Sequence, residues 1–251
     1  MNSTTTLAPG LKGFPHGQAP LSSAEIGGLG WNVLDGRLPL PLAVLKCTAL
    51  EHNLRWMQNF VRDRGIDLAP HGKTKMSPQL FARQLDAGAW GLTFANVTQL
   101  AVGVAAGARR ALIANQVFGD DDFAGIQAML EAHANLRIVF LIDSTAQLAL
   151  IESWFAAHPG SVPFETMLEI GVSNARAGCR THDEAATLAR ARAACRHRVL
   201  RGSRRDRLYG MRHALRRCAD GPCRVNRPLL RCRMPVRRGR GAGLGRRLID
   251  F

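Results

Sequence analysis

The stretch that decides the fold reads Ala69-Pro-His-Gly-Lys-Thr-Lys-Met-Ser-Pro78. A short apolar run, Ile66, Leu68 and Ala69, leads to a lysine, Lys73, and a helix start follows at once. Ser77 is an N-cap residue and Pro78 suits the first helical position. A strand that runs through a reactive side chain into a helix is the repeating unit of a (β/α) barrel, whose chemistry gathers at the carboxyl ends of its strands. A lysine held in a partly dry site there loses its proton readily and condenses with an aldehyde. A lysine on an ordinary βα loop stays solvated and does neither. Pro70 has no N–H to give a central strand, but at the carboxyl end of one it is tolerated.

Outward from this stretch the same alternation repeats. Apolar runs predict strands over residues 38–45, 66–73, 91–95, 110–115, 137–143 and 164–171, the first interrupted by Pro39 and Pro41. The run over 137–143 is apolar throughout, as a strand covered on both faces should be. Between the runs lie helical patterns. Leu50, Leu54, Met57 and Val61 recur at one helix face, as do Phe123, Ile126 and Leu130, and then Leu148, Ile151 and Phe155. A helix over 98–106 is stopped by Gly107, and another is expected over 181–194. Six βα units predict a parallel sheet with right-handed crossovers. They fit either an open doubly wound sheet or three quarters of a barrel, and periodicity does not choose. No Gly-x-Gly-x-x-Gly follows the first strand, which weakens a dinucleotide reading.

Charge divides the chain. Residues 1–190 hold 15 Lys+Arg against 16 Asp+Glu, whereas residues 191–251 hold 19 Arg, no Lys and 3 Asp+Glu. The net charge of +15 therefore belongs to the last quarter. Arg pairs such as Arg204-Arg205 and Arg237-Arg238 could meet phosphates, but basic arms mix Lys with Arg, and a nucleic-acid partner is the weaker reading. In a GC-rich gene, CGN codons become Ala, Val, Asp, Glu or Gly codons one base along, and the first part is rich in Ala, Gly, Leu and Val. A shifted reading frame is the expectation for residues 195–251. The domains are then an extension over 1–37, a barrel domain over 38–194, and an irregular tail over 195–251.

The hydrophobic content of 46% supports a sizeable core, and no run approaches the ~18 apolar residues of a membrane helix. The first ten residues have neither the basic start nor the apolar centre of a signal peptide. Before residue 191 only Cys47 and Cys179 occur, which points to a reducing, cytoplasmic compartment. Cys218, Cys223 and Cys232 lack zinc-ligand spacing, so no metal site is expected.

The Pro70, His71, Gly72, Lys73, Thr74 stretch resembles a signature of the D-serine dehydratase and D-threonine aldolase group of pyridoxal phosphate enzymes, whose barrel is similar to the alanine racemase N-terminal domain. Ala69 stands where that group has Arg, and Lys75-Met76 where it has His-Lys. The Met-Ser-Pro ending looks most like the branch known as amino acid deaminases. Three more blocks follow in register: Gln84-Leu-Asp-Ala-Gly-Ala-Trp-Gly91, Ala111-Leu-Ile-Ala-Asn-Gln-Val-Phe-Gly119, and Leu168-Glu-Ile-Gly-Val-Ser-Asn-Ala-Arg-Ala-Gly-Cys179.

The resemblance implies an incomplete α/β barrel of the alanine racemase N-terminal type. It also implies pyridoxal 5'-phosphate as cofactor, Lys73 as its covalent anchor and a D-amino acid as substrate. Arg176 matches an arginine near the cofactor's phenolic oxygen, where a guanidinium favours the phenolate. His71, two before Lys73, points the same way along a strand and either lines the pocket or packs at the strand end. Asn115 either bonds near the ring or turns the chain. The intact family implies a homodimer; it also implies two further βα units, phosphate-binding backbone on later strands and, in the dehydratase branch, a C-terminal His/Cys metal site, and none of these chain parts is expected in this sequence. Cys179 does not match that ligand. Lyase, aldolase and racemase chemistries therefore stay open, as does a non-catalytic cofactor-binding barrel.

Overall fold

The computed structural model describes residues 5–172, 176–195, 200–202 and 247–249. The chain divides between Asn53 and Leu54 into two units. In the first, β1 (Thr6–Leu7) pairs antiparallel with β2 (Leu21–Ser22), and Phe14 is buried edge-to-face against Trp31 at 5.7 Å. Helix α1 (Cys47–Asp63) crosses the boundary.

The second unit is the α/β body. Helix α1 is followed by β3 (Ile66–Leu68), α2 (Pro78–Asp86), β4 (Leu92–Phe94), α3 (Val97–Ala105), β5 (Arg110–Gln116), α4 (Asp120–Ala132), β6 (Arg137–Ile142), α5 (Thr145–Ala157), β7 (Phe164–Leu168) and α6 (His182–Ala194). Strands β4, β5, β6, β7 and β8 (Leu200–Gly202) form one parallel sheet in sequence order, and β9 (Arg247–Ile249) pairs parallel with β3. A single bridge between His71 and Thr93 carries the pairing from the β3 side to β4. The architecture is the incomplete parallel barrel expected.

Two expectations are corrected. Residues 38–45 form no strand, because Pro39 and Pro41 remove two ladder donors from a run of eight residues. Five complete βα units are present among the described residues rather than six. Of residues 195–251, expected as an irregular tail, only Cys195, β8 and β9 are described, and the rest of that expectation lies outside the described residues.

Alternation along the strands sorts two layers. Leu92, Phe94, Ala111, Ile113, Ile138, Phe140, Ile142 and Phe164 face the helices and build the main core with Phe123, Ile126, Leu148, Ile151 and Trp154. Leu112, Val139, Leu141 and Met167 form a small cluster on the opposite, inner face. Two-sided burial is why β5 and β6 read as unbroken apolar runs. Between β6, β7, α4 and α5, the ring of Phe164 lies 4.8–5.7 Å from those of Phe123, Phe140, Trp154 and Phe155.

Four of the five strand-to-helix junctions are capped by a side chain; α4 starts at Gly119 without one. Ser77, Asn96 and Ser144 accept from the N–H groups of Leu80, Gln99 and Gln147, and Thr181 with Glu184 makes a reciprocal capping box. The helix N-termini therefore gather at the carboxyl ends of the strands, the end at which Lys73 stands.

Candidate functional site

Lys73 does not continue β3. Beyond Leu68 the chain keeps strand-like contacts through its carbonyls: Trp90 N–H donates to Leu68 O at 2.7 Å and Thr93 N–H to Pro70 O at 2.9 Å. The Thr93 hydroxyl donates to Ala69 O at 2.8 Å, fully buried. Pro70 thus sits where its missing donor is not needed. At Gly72 the chain tightens into a 3-10 turn over Gly72–Thr74, and His71 Nδ1 accepts from Lys73 N–H at 3.3 Å. The strand rule that aligned His71 with Lys73 does not hold past His71; the imidazole caps the turn that presents the lysine. Lys73 is exposed.

Gly72 makes this turn fit. A Cβ there would lie 2.7 Å from Phe94 Cε1 and 2.9 Å from both Cε1 and Cζ of Phe81. The backbone that carries Lys73 therefore rests on the buried Phe81–Phe94 pair.

The other half of the site lies at the ends of β5, β6 and β7. Asn115 donates through Nδ2 to Ala95 O at 2.8 Å and accepts at Oδ1 from an Arg176 guanidinium N–H at 3.1 Å. Asn115 and Arg176 are thus brought together, as are His71 and Lys73. The His71–Thr93 bridge and the Asn115–Ala95 bond place the two pairs on successive strand ends around one rim.

Sequence reading missed the polar network beneath Arg176. Gln116 Nε2 donates to Asp143 Oδ2 at 3.0 Å and to Glu169 Oε2 at 2.7 Å. Asp143 Oδ2 also accepts from Gly178 N–H at 2.9 Å, and its carbonyl accepts from the buried Cys179 thiol at 3.3 Å. The signal was available. Glu169 lies two residues beyond Met167, so it shares the inner face of β7, and an acidic residue at that depth is out of place in a plain core.

Burial raises the Glu169 carboxyl above its ordinary range, and the Asp143 charge adds to this. The Gln116 N–H and the Arg176 and Arg180 cations pull the other way. Burial and the Asp143, Glu184 and Glu169 charges likewise push the Cys179 thiol up. Because the fold favours neutral Glu169, its contribution to stability is present below the ordinary carboxylate range and is lost as pH rises through its raised value. Glu169→Gln keeps an acceptor for Gln116 and removes the charge. The variant should melt a few degrees above the parent at about pH 8, and the gain should vanish near pH 4. Thermal melts across that range test it; a gain independent of pH would refute the assignment to Glu169 ionisation.

The residues fit a pyridoxal phosphate group by their chemistry. An amine for the aldehyde stands at a strand end, and a guanidinium for an anionic oxygen is held by an amide at the same rim. Helix N-termini at that end favour negative charge. Among the described residues no cluster of His, Cys, Asp and Glu could hold a metal ion, and no helix is long and apolar enough to cross a membrane.

Comparison with known proteins agrees. The sequence profile described as "Alanine racemase, N-terminal domain" matches residues 45–203. A D-threonine aldolase from Arthrobacter sp is 28% identical over 158 residues, 63% of this chain and 40% of that protein. The crystal structure of D-threonine aldolase from Filomicrobium marinum superposes with a TM-score of 0.58 at 25% identity, over 66% of this chain and 43% of that one. D-threo-3-hydroxyaspartate dehydratase from Delftia sp. HT23 shares the fold, with a TM-score of 0.57 at 23% identity, over 66% of this chain and 43% of that one. The chain thus spans about two fifths of the length of these relatives. On this match and this fold, the chain belongs to the pyridoxal 5'-phosphate-dependent alanine racemase N-terminal domain family.

Proposed function

We propose that this chain is the barrel portion of a pyridoxal phosphate-dependent D-amino acid lyase of the deaminase kind, releasing ammonia and a 2-oxo acid from D-serine or a similar D-amino acid. The observation that carries the reading is Lys73 on its glycine-seated turn, at the same rim as an Arg176 held by Asn115. The D-threonine aldolase likeness supports D-amino acids as the substrate class.

Lys73 Nζ is the amine that would hold the cofactor aldehyde, and as a free amine it would take or return a proton. When bound, the cofactor draws electrons from the substrate α-carbon. Arg176 steadies an anionic oxygen, and Asn115 keeps its guanidinium from swinging away. His71 fixes the turn rather than touching the reacting atoms.

The test is titration with pyridoxal phosphate, borohydride reduction and peptide mapping. The label is expected on Lys73. A label on Lys75, the neighbouring amine, would overturn the anchor assignment. Covalent labelling without ammonia or aldehyde release from any D-amino acid would favour a non-catalytic cofactor-binding barrel, and aldehyde from D-threonine would favour an aldolase.

We also propose a shifted frame beyond about residue 195. Its support is the switch from mixed Lys and Arg to Arg alone, although the family match runs on to residue 203. The coding sequence around that codon decides it: an overlapping frame that encodes further βα units would establish the shift, and its absence would refute it.

A further inference from the structure

Arg180 lies outside the residues assigned above, yet its side chain turns back on the loop that carries Arg176. Its NH1 donates to Val172 O at 3.0 Å and to Ala177 O at 3.1 Å, and its NH2 donates to Arg176 O at 2.9 Å. One guanidinium thus ties the chain entering the loop, at Val172, to the chain leaving it, at Arg176 and Ala177. Arg180 itself is fixed from behind, since its backbone N–H donates to Glu184 Oε2 at 2.6 Å. The same oxygen accepts from Thr181 N–H at 3.2 Å in the capping box of α6.

The loop needs such a tie. Its two limbs meet at Gly171 and Gly178, where a Cβ on Gly178 would lie 2.4 Å from Gly171 N and a Cβ on Gly171 would lie 2.3 Å from Ala177 O. Glycines permit this approach but add no cohesion of their own. Two backbone bonds hold the limbs, Gly171 N–H to Cys179 O and Cys179 N–H to Glu169 O, both 2.9 Å. Arg176 is the last residue before this doubled segment, and its side chain bonds across to Asn115 on β5. A carbonyl held on Arg176 fixes where its Cα sits, and hence how far its guanidinium reaches. Charge-assisted bonds from a planar fork do this better than neutral ones.

We propose that Arg180 is a positioning residue: its guanidinium staples the Arg176 loop onto α6 and so sets the reach of the Arg176 side chain toward the cofactor's anionic oxygen. This rests on the reading of Arg176 given above and deepens it.

The test uses the full chain with Arg180→Met, which keeps length and packing but donates nothing, and with Arg180→Lys, which keeps charge without the fork. Two readouts separate the clamp from the cofactor assignment. Amide hydrogen exchange at Gly178 and Cys179 needs no cofactor; it should speed up about tenfold in Arg180→Met, while amides of β5 and β6 stay unchanged. Pyridoxal phosphate titration should show a Kd about tenfold higher in Arg180→Met and a smaller loss in Arg180→Lys. In an Arg176→Met background, Arg180→Met should add nothing, because it acts through Arg176. Unchanged exchange, or a full additional loss in that background, would overturn the proposal. Faster exchange in a chain whose parent binds no pyridoxal phosphate would uphold the clamp and refute the cofactor site. If Arg180→Met does not fold, Arg180→Lys carries both readouts.

Discussion

On the function proposed above, Lys73→Ala should abolish borohydride-trappable pyridoxal phosphate and lower any D-amino acid turnover by roughly three powers of ten or more, the scale for losing a group that serves as both nucleophile and proton carrier. Lys75→Ala, two residues on, should stay within a few-fold of the parent in both measurements. The contrast follows from the turn. Lys73 is its central residue, with its N–H held by His71, whereas Lys75 closes it through a backbone bond to Gly72 O at 3.2 Å. The next residue, Met76, has φ of 43°, so the chain reverses immediately after Lys75. Assays of the two variants side by side, each with its absorption spectrum, check the claim. Equal losses, or visible absorbance surviving in Lys73→Ala and lost in Lys75→Ala, would move the anchor to Lys75.

Much of this arrangement was legible in the sequence, and the parts that were not have definite causes. Strands β5 and β6 showed as apolar runs because their two faces are both covered, one by helices and one by the inner cluster of Leu112, Val139, Leu141 and Met167. The helix starts showed because Ser77-Pro78 and Thr181 with Glu184 carry their capping chemistry in the chain itself. The stop of α3 showed because Gly107 adopts φ of 102°. Residues 38–45 look like a strand by apolar content, but Pro39 and Pro41 bar them from a ladder. The turn at Gly72 was hidden because nothing local requires it: Gly72 has an ordinary φ, and its smallness answers to Phe81 and Phe94, one on a helix and one on the next strand.

The site divides in the same way. Lys73, His71, Asn115 and Arg176 stood out as polar residues at strand ends or in matching blocks. Gln116, Asp143 and Glu169 did not, because their importance lies in meeting one another across 27 and 53 residues of sequence. Such contacts depend on the side-by-side pairing of β5, β6 and β7 and not on any local pattern. Arg180 was hidden in a different way: an arginine in a loop looks like solvated charge until its carbonyl partners are placed around it.

The seat of Lys73 gives the second large effect. In Gly72→Ala the new methyl meets three ring atoms at 2.7–2.9 Å, and neither ring can retreat. Phe94 is fully buried and already close-fitted on its far side, where a Cβ on Gly103 of α3 would come within 2.1 Å of its Cζ. Phe81 is 1% exposed and stands edge-to-face to Phe94 at 5.6 Å. The easiest relief is for the turn to lift off the rings, since its outer residues Lys73, Thr74 and Lys75 are exposed. Overpacking of this kind costs about 1–3 kcal/mol in stability. The loss of function should be larger than that, because a displacement of about 1 Å at a reacting group can cost a hundredfold in rate. Gly72→Ala should therefore remain folded by circular dichroism while its rate of covalent capture of pyridoxal phosphate falls by about a hundredfold. Phe81→Leu in the same chain removes two of the three closest contacts and should restore part of that rate, even though Phe81→Leu alone weakens the core. Rescue of this sign is what distinguishes a seat for Lys73 from a glycine that merely spares the chain a side chain. If Gly72→Ala binds the cofactor as the parent does, or if Phe81→Leu makes the defect worse, the turn does not owe its position to those rings.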